Sequence, residues 1–305
     1  MDGETNTPSD VEPIFKPLEA YKITSLPSSA YYIPNFLTPH ESSSLLHSIS
    51  KNQWTQLSHR RLQPHPAPLT PSGHLLTSKS LAPYLERPIV DRILSLSFSD
   101  DPSDISNNNN NNENSNKNIN TRDDVVSYNI KEGRKRRIFT SSPHHRPNHV
   151  LINEYPPGTG IPSHQDGAAY FPVVCTVTLS SHTVLEITPK QVTDSTTTNE
   201  NNENTAECND GVKYKIYQEP LSLLITTDEI YTSHLHGISA TTTDENLSPS
   251  TINNWNLLSD DTRNMIQAGE GKVERTETRV SLTYRDVLKV TDAGKVFGGR
   301  GFKFR

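Results

Sequence analysis

Apolar residues recur along this chain with two different periods, and the change from one to the other divides it. After a polar start, Ala30-Tyr31-Tyr32-Ile33 reads as a short strand, because aromatic and β-branched side chains suit a pleated, half-buried surface. It runs into Thr38-Pro39-His40-Glu41, a capping box in which Thr38 caps, Pro39 takes the first helical position and Glu41 closes back on the cap. The helix so opened is expected to reach about Asn52, with Leu45, Leu46 and Ile49 on its core face, since residues three and four apart share one side of a helix. Trp54 starts a Pro- and Arg-containing loop that lasts to Gly73. A second helix is expected between Pro88 and Phe98, with Ile89, Val90, Ile93 and Leu94 as its buried stripe, before the run Asn107 to Asn112 ends all periodicity.

Beyond that run the period is that of strands. Segments 150–155, 173–180, 182–188, 221–227, 234–238 and 278–284 are short, rich in β-branched or aromatic residues, and separated by turns or polar stretches. They predict a closed or sandwiched antiparallel sheet covered by the preceding helices. No glycine-rich turn joins a strand to a helix in a dinucleotide-binding or phosphate-loop pattern.

Composition adjusts the size of the folded part. Of 305 residues 31% are hydrophobic and 22 are proline, below the roughly 45–50% apolar share of an average globular chain. Much of the deficit lies near 101–122, 190–211 and 241–275, which read as low-complexity insertions. With residues 1–20 as a disordered arm and 296–305 as a basic tail, one domain over 21–295 is expected. The start of the chain is acidic and polar, unlike a signal peptide, and no apolar run approaches a membrane span, so an intracellular protein without a membrane partner is expected. The two cysteines, Cys175 and Cys208, are too few for a disulfide framework. A net charge of −6 argues against non-specific coating of nucleic acid.

Candidate chemistry starts at His164-Gln165-Asp166. In an extended segment residues i and i+2 point to one face, which makes the imidazole and carboxylate adjacent ligands for a metal. Twelve histidines make a lone pair of this kind expected by chance, so a third ligand is needed. His234-Leu235-His236-Gly237 offers two histidines, which strand alternation leaves tied. Either would complete a two-His, one-carboxylate triad with open positions for Fe(II) chemistry. The strand Arg279-Val280-Ser281-Leu282-Thr283-Tyr284-Arg285 alternates strictly, with a polar face carrying Arg279 and Arg285. Arginine supplies the planar fork that binds a carboxylate bidentately. Asn153 and Tyr155 share a face of an earlier strand and are placed to donate to the same anion. His144, His145, His149 and His182 read as surface or structural, and Cys175 as a buried small hydrophobe.

Taken together with Tyr31-Tyr32-Ile33-Pro34, Arg61-Leu62-Gln63, Asn148-His149-Val150-Leu151 and Leu235-His236-Gly237-Ile238, these segments resemble the AlkB family of Fe(II)- and 2-oxoglutarate-dependent dioxygenases, most closely its eukaryotic homologue 6 branch. The resemblance implies a mainly β protein with a double-stranded β-helix (jelly roll) core covered by N-terminal helices. It implies His164, Asp166 and His236 as metal ligands, because the family's distal histidine is followed by glycine. It also implies Arg279 on the remote carboxylate of 2-oxoglutarate, with Asn153, Tyr155 and Arg285 as further contacts to that co-substrate. Ser281 stands where the bacterial pattern has Asn. The cofactors implied are Fe(II), 2-oxoglutarate and O2, and the reaction is oxidative demethylation or hydroxylation of an alkylated nucleic acid, DNA or RNA. A protein or small-molecule substrate, or a non-catalytic binding module, are the alternatives. Trp54, Arg60, Arg61 and Tyr170 are the candidate substrate contacts, Tyr170 as a surface on which a base stacks. A monomer in nucleus and cytoplasm is expected, with Arg134-Lys135-Arg136-Arg137 as a candidate phosphate contact or import signal.

Overall fold

A computed structural model describes residues 12–27, 29–77, 79–99, 136–190 and 213–294. The asparagine run, the 190–211 insertion beyond Lys190, Cys208, Arg134, Lys135 and the tail 296–305 lie outside these residues. In chain order the first half forms β1 (Ala30–Ile33), α1 (Pro39–Ser50), β2 (Thr55–Gln56), β3 (Arg61–His65), β4 (Leu75–Leu76), α2 (Pro83–Glu86) and α3 (Ile89–Ser95). The second half forms β5 (His149–Tyr155), β6 (Ile161–His164), β7 (Val173–Thr178), β8 (Thr183–Pro189), β9 (Tyr214–Gln218), β10 (Leu223–Thr227), α4 (Asp228–Ser233), β11 (His234–Ile238), β12 (Thr243–Asp244), α5 (Asp260–Ala268), β13 (Val273–Glu274), β14 (Arg279–Arg285) and β15 (Val290–Thr291).

Two antiparallel sheets make the double-stranded β-helix: seven strands in the order β1-β10-β7-β14-β5-β3-β2, and four in the order β6-β11-β8-β9. From β5 to β11 the chain passes repeatedly between them, with β8 and β9 forming a hairpin pair within the smaller sheet, so the two sheets supply opposite walls of one interior. The pleat of β14 sorts its side chains as the alternation predicts. Val280, Leu282 and Tyr284 enter the core shared with α1, α2 and α3, while Arg279, Ser281, Thr283 and Arg285 face the space between the sheets. Tyr284 Oη donates to Leu85 O at 2.9 Å and ties β14 to α2.

The capping box forms as read. Glu41 N donates to Thr38 Oγ1 at 3.2 Å and Thr38 N to Glu41 Oε2 at 2.9 Å, a pairing worth about 1 kcal/mol. Arg92 of α3 then grips the same Glu41 carboxylate at 2.7 and 2.8 Å, joining the two helices. Leu45 and Ile49 are buried as expected, with Leu46 packed at the core's margin.

Three expectations need correction. The segment 241–275 is no loose insertion: Leu247, Ile252, Trp255, Leu258 and Ile266 pack with Ile187, Ile216 and Tyr217 of the smaller sheet in a second core. Its apolar residues lie in turns and single helical positions, so they show no period in the sequence. The arm expected over 1–20 is docked at its end, where Leu18 is fully buried and its N–H donates to Ser97 O at 3.0 Å. Part of the expected loop after Trp54 is the hairpin β2–β3, whose Pro64 lies opposite Leu151 of β5.

Candidate metal and co-substrate site

The site is assembled across the smaller sheet. His236 of β11 and His164 at the end of β6 are direct cross-strand partners, with ring centroids 4.5 Å apart. Asp166 follows in the turn after β6, and the ligating atoms of His164, Asp166 and His236 all lie within 4.8 Å of one another. The Nδ1 of His164 is 2.9 Å from Pro162 O. A carbonyl there selects the tautomer with its proton on Nδ1, leaving Nε2 a lone pair for a cation. Burial pulls the His236 imidazole down to about 4, so it is neutral and able to bind metal at physiological pH. His234 stays out of the cluster. Its Nδ1 lies 3.1 Å from Glu229 O and its ring faces Tyr214. Alternation left the two histidines tied, and the turn from α4 into β11 separates them.

Opposite the cluster, across a cavity of about 330 Å³ between the sheets, stands Arg279. Its side chain is buried, and among the described residues its guanidinium meets neutral partners: Nη2 donates to Thr178 Oγ1 at 2.9 Å and to Gln218 Oε1 at 3.1 Å, while Nε has none. Desolvation pulls it down to about 10. A buried cation without a counterion is costly, and an anion entering the cavity removes that cost. Tyr155 flanks it, ring centre 5.6 Å from the guanidinium carbon. Asn153 lines the same wall and accepts from Arg60 Nε at 3.4 Å. Arg285, the other arginine expected to contact the co-substrate, lines the same cavity; its Nη2 donates to Asp166 Oδ1 at 2.7 Å, and its guanidinium lies 4.8 Å from the ring centre of Tyr170. Six residues apart on one strand, the two arginines serve opposite ends of the cavity.

The candidate substrate residues divide. Arg60 and Tyr170 line the cavity. Trp54 packs against the helical core, Arg61 covers its ring at 4.9 Å, and Arg61 pairs with Glu154. The pleat decides this: Asn153 and Tyr155 point inward, so Glu154 and the arginine opposite it on β3 point away. Several site residues carry no motif and escaped the sequence. Tyr231 of α4 lines the cavity and donates through Oη to Gly167 O at 2.8 Å, while Gln165 Nε2 donates to Tyr231 O at 3.0 Å, tying α4 to the metal-side turn. Thr178 and Gln218 sit at strand ends with nothing but alternation to mark them.

No family model matches the chain. It is 29% identical over 289 residues to the Danio rerio protein named "Probable RNA/DNA demethylase ALKBH6", covering 92% of this chain and 95% of that protein. It is 30% identical over 145 residues to an uncharacterized protein of Acanthamoeba polyphaga mimivirus, 47% of this chain and 50% of that one. Among solved structures, OsALKBH1 aligns over 86% of this chain and 99% of its own, at 12% identity and a TM-score of 0.42.

Proposed function

Because the chain belongs to the AlkB family of Fe(II)- and 2-oxoglutarate-dependent dioxygenases, we propose that it removes alkyl groups oxidatively from nucleic acid, with His164, Asp166 and His236 holding the iron. The observation that carries the co-substrate half of this reading is the buried guanidinium of Arg279, which meets only neutral partners among the described residues and lines the same cavity as the His/Asp/His cluster. The residues fit the cofactors: one carboxylate and two imidazoles suit a divalent iron and leave positions open, and a planar fork suits a dicarboxylate's far end. When bound, iron, 2-oxoglutarate and O2 supply the oxidising power that converts a C–H bond to C–OH, with 2-oxoglutarate leaving as succinate and carbon dioxide.

The chain's own residues do the positioning. Arg285 fixes the Asp166 carboxylate, the Pro162 carbonyl fixes His164, and Arg279 with Tyr155 and Asn153 anchors the co-substrate. Tyr170 and Arg60 stand on the wall where the alkylated group enters, an aromatic face for a base and a cation for its phosphate. Where the oxidised carbon is an N-methyl group, the hydroxymethyl product loses formaldehyde and restores N–H. The Danio rerio relative's name supports the nucleic-acid class.

Incubation with Fe(II), 2-oxoglutarate and single-stranded oligonucleotides bearing N-methylated bases is expected to release formaldehyde and succinate in equal amounts, with affinity falling steeply as salt rises. Succinate release coupled to methylated peptides but to no oligonucleotide would contradict the substrate class and leave the cofactor assignment standing.

A further inference from the structure

The ladder that carries two of the three ligands is irregular at the point where it matters. His236 pairs with His164 and Ile238 with Ile161, so two steps along β11 are matched by three along β6. The extra residue places Pro162 and Ser163 together opposite Gly237. Residues three apart on a regular strand point to opposite faces, yet Ile161 and His164 both line the cavity. Were β6 regular from Ile161 onward, Ser163 would face His236 and His164 would lie opposite Leu235, on the other face of the sheet.

We infer that the β-bulge at Pro162-Ser163, admitted by Gly237, is the device that turns His164 into the metal cluster, and that Gly237 is a positioning residue for metal binding. A Cβ on Gly237 would stand 3.0 Å from Ile161 O, Ser163 N and Ser163 Cα. All three are backbone atoms of the bulge and cannot rotate aside. Gly160, at the start of β6, is closed in the same way: its Cβ would overlap Ile238 O. One glycine therefore precedes the stretch where β6 gains its residue, and the other lies across the ladder from it. Proline suits the bulge because it has no N–H to lose from the ladder, and its carbonyl is the one 2.9 Å from His164 Nδ1. One local irregularity thus sets both the face and the tautomer of the ligand, in keeping with the placing of bulges beside active sites, where they re-aim a side chain.

The inference rests on the metal reading above, and its test separates the two. Co(II) is titrated into the metal-free full chain and followed by its d–d absorption, which reports affinity and ligand geometry without turnover. Gly237→Ala touches neither metal nor co-substrate, and it is expected to weaken Co(II) binding about ten- to a hundredfold and to alter the spectrum. Deleting Pro162 in the Gly237→Ala protein removes the extra residue. A regular ladder then places Ser163 opposite position 237 and His164 opposite His236 without a bulge, so Co(II) affinity is expected to recover most of what Gly237→Ala lost, the remainder being the hold of the Pro162 carbonyl on His164 Nδ1. Parental affinity in Gly237→Ala overturns the inference, as does failure of the deletion to restore binding. If Gly237→Ala does not fold, the doubly changed protein decides: folded and metal-binding supports the device, anything else refutes it. Absence of Co(II) binding in the parent refutes the metal reading instead.

Discussion

Arg275 and Arg279 are four residues apart, both buried, and oppositely equipped. Arg275 meets a carboxylate designed around it: Nε and Nη2 donate to Asp244 at 2.7 and 2.6 Å and Nη1 to Ser239 O at 3.0 Å, while His182 Nε2 lies 3.2 Å from the same Asp244 and its ring stacks on Tyr217. That network clamps the 241–275 segment onto the smaller sheet just beyond β11. Arg279 has no anion among the described residues, and two neutral oxygens hold its fork open toward the cavity. The fold neutralises its own charge where the charge is architectural. Where it does not, at Arg279, the partner proposed above is the co-substrate's carboxylate.

The largest effect expected from breaking this contrast is on the clamp. Arg275→Leu leaves Asp244 buried without its partner and is expected to cost about 3–5 kcal/mol in urea unfolding, with 2-oxoglutarate affinity of the folded protein close to the parent's. A loss below about 1 kcal/mol would show the clamp to be incidental.

Next comes pH. His149 of β5 is buried near Tyr170, with Nε2 3.1 Å from Ala67 O, and desolvation with nearby Arg285 pulls it down from 6.5 to about 4. The unfolded chain takes up its proton near 6.5 while the folded chain refuses it. Stability is therefore full above that pH and falls as the solution is acidified toward 4, by on the order of 3 kcal/mol. His149→Gln is expected to flatten that part of the pH–stability curve. An unchanged slope would assign the acid sensitivity to other groups.

Smaller again is the effect of Arg279→Lys, which keeps charge and loses the fork. Metal affinity is expected to hold while 2-oxoglutarate binding weakens by about 1.5–3 kcal/mol, on the order of ten- to a hundredfold. Smallest is Arg279→Met on stability. Removing an uncompensated buried cation is expected to leave unfolding within about 1 kcal/mol of the parent, or to raise it, the reverse of Arg275→Leu.

Legibility from sequence followed the strength of local rules. The capping box at Thr38–Glu41 and the alternating strand at 279–285 announced themselves because one face or one cap fixes each residue type. Strands β6 and β9 did not. β6 is a four-residue strand containing a proline and a bulge, so its period is broken by the same feature that aims His164, and β9 abuts a polar stretch. The 241–275 segment buries Trp255 and Ile266 from turns and a short helix, a tertiary arrangement with no sequence period. In the site, His164, Asp166, Arg279 and the His234/His236 pair were visible as residue types at strand spacing. The choice of His236 rested on family resemblance until ring orientation resolved it, and the contacts of Tyr231, Gln165, Thr178, Gln218 and Asp244 required the fold.

The most direct test is anaerobic addition of Fe(II) and then 2-oxoglutarate to the metal-free protein, watching for the visible iron-to-co-substrate charge-transfer band in the parent and in Arg279→Met. Arg279 as the anchor of the co-substrate predicts a band that requires both additions and saturates at far higher 2-oxoglutarate in Arg279→Met, with Fe(II) affinity retained. A band of equal affinity in both proteins, or none in a folded parent with iron bound, would contradict it.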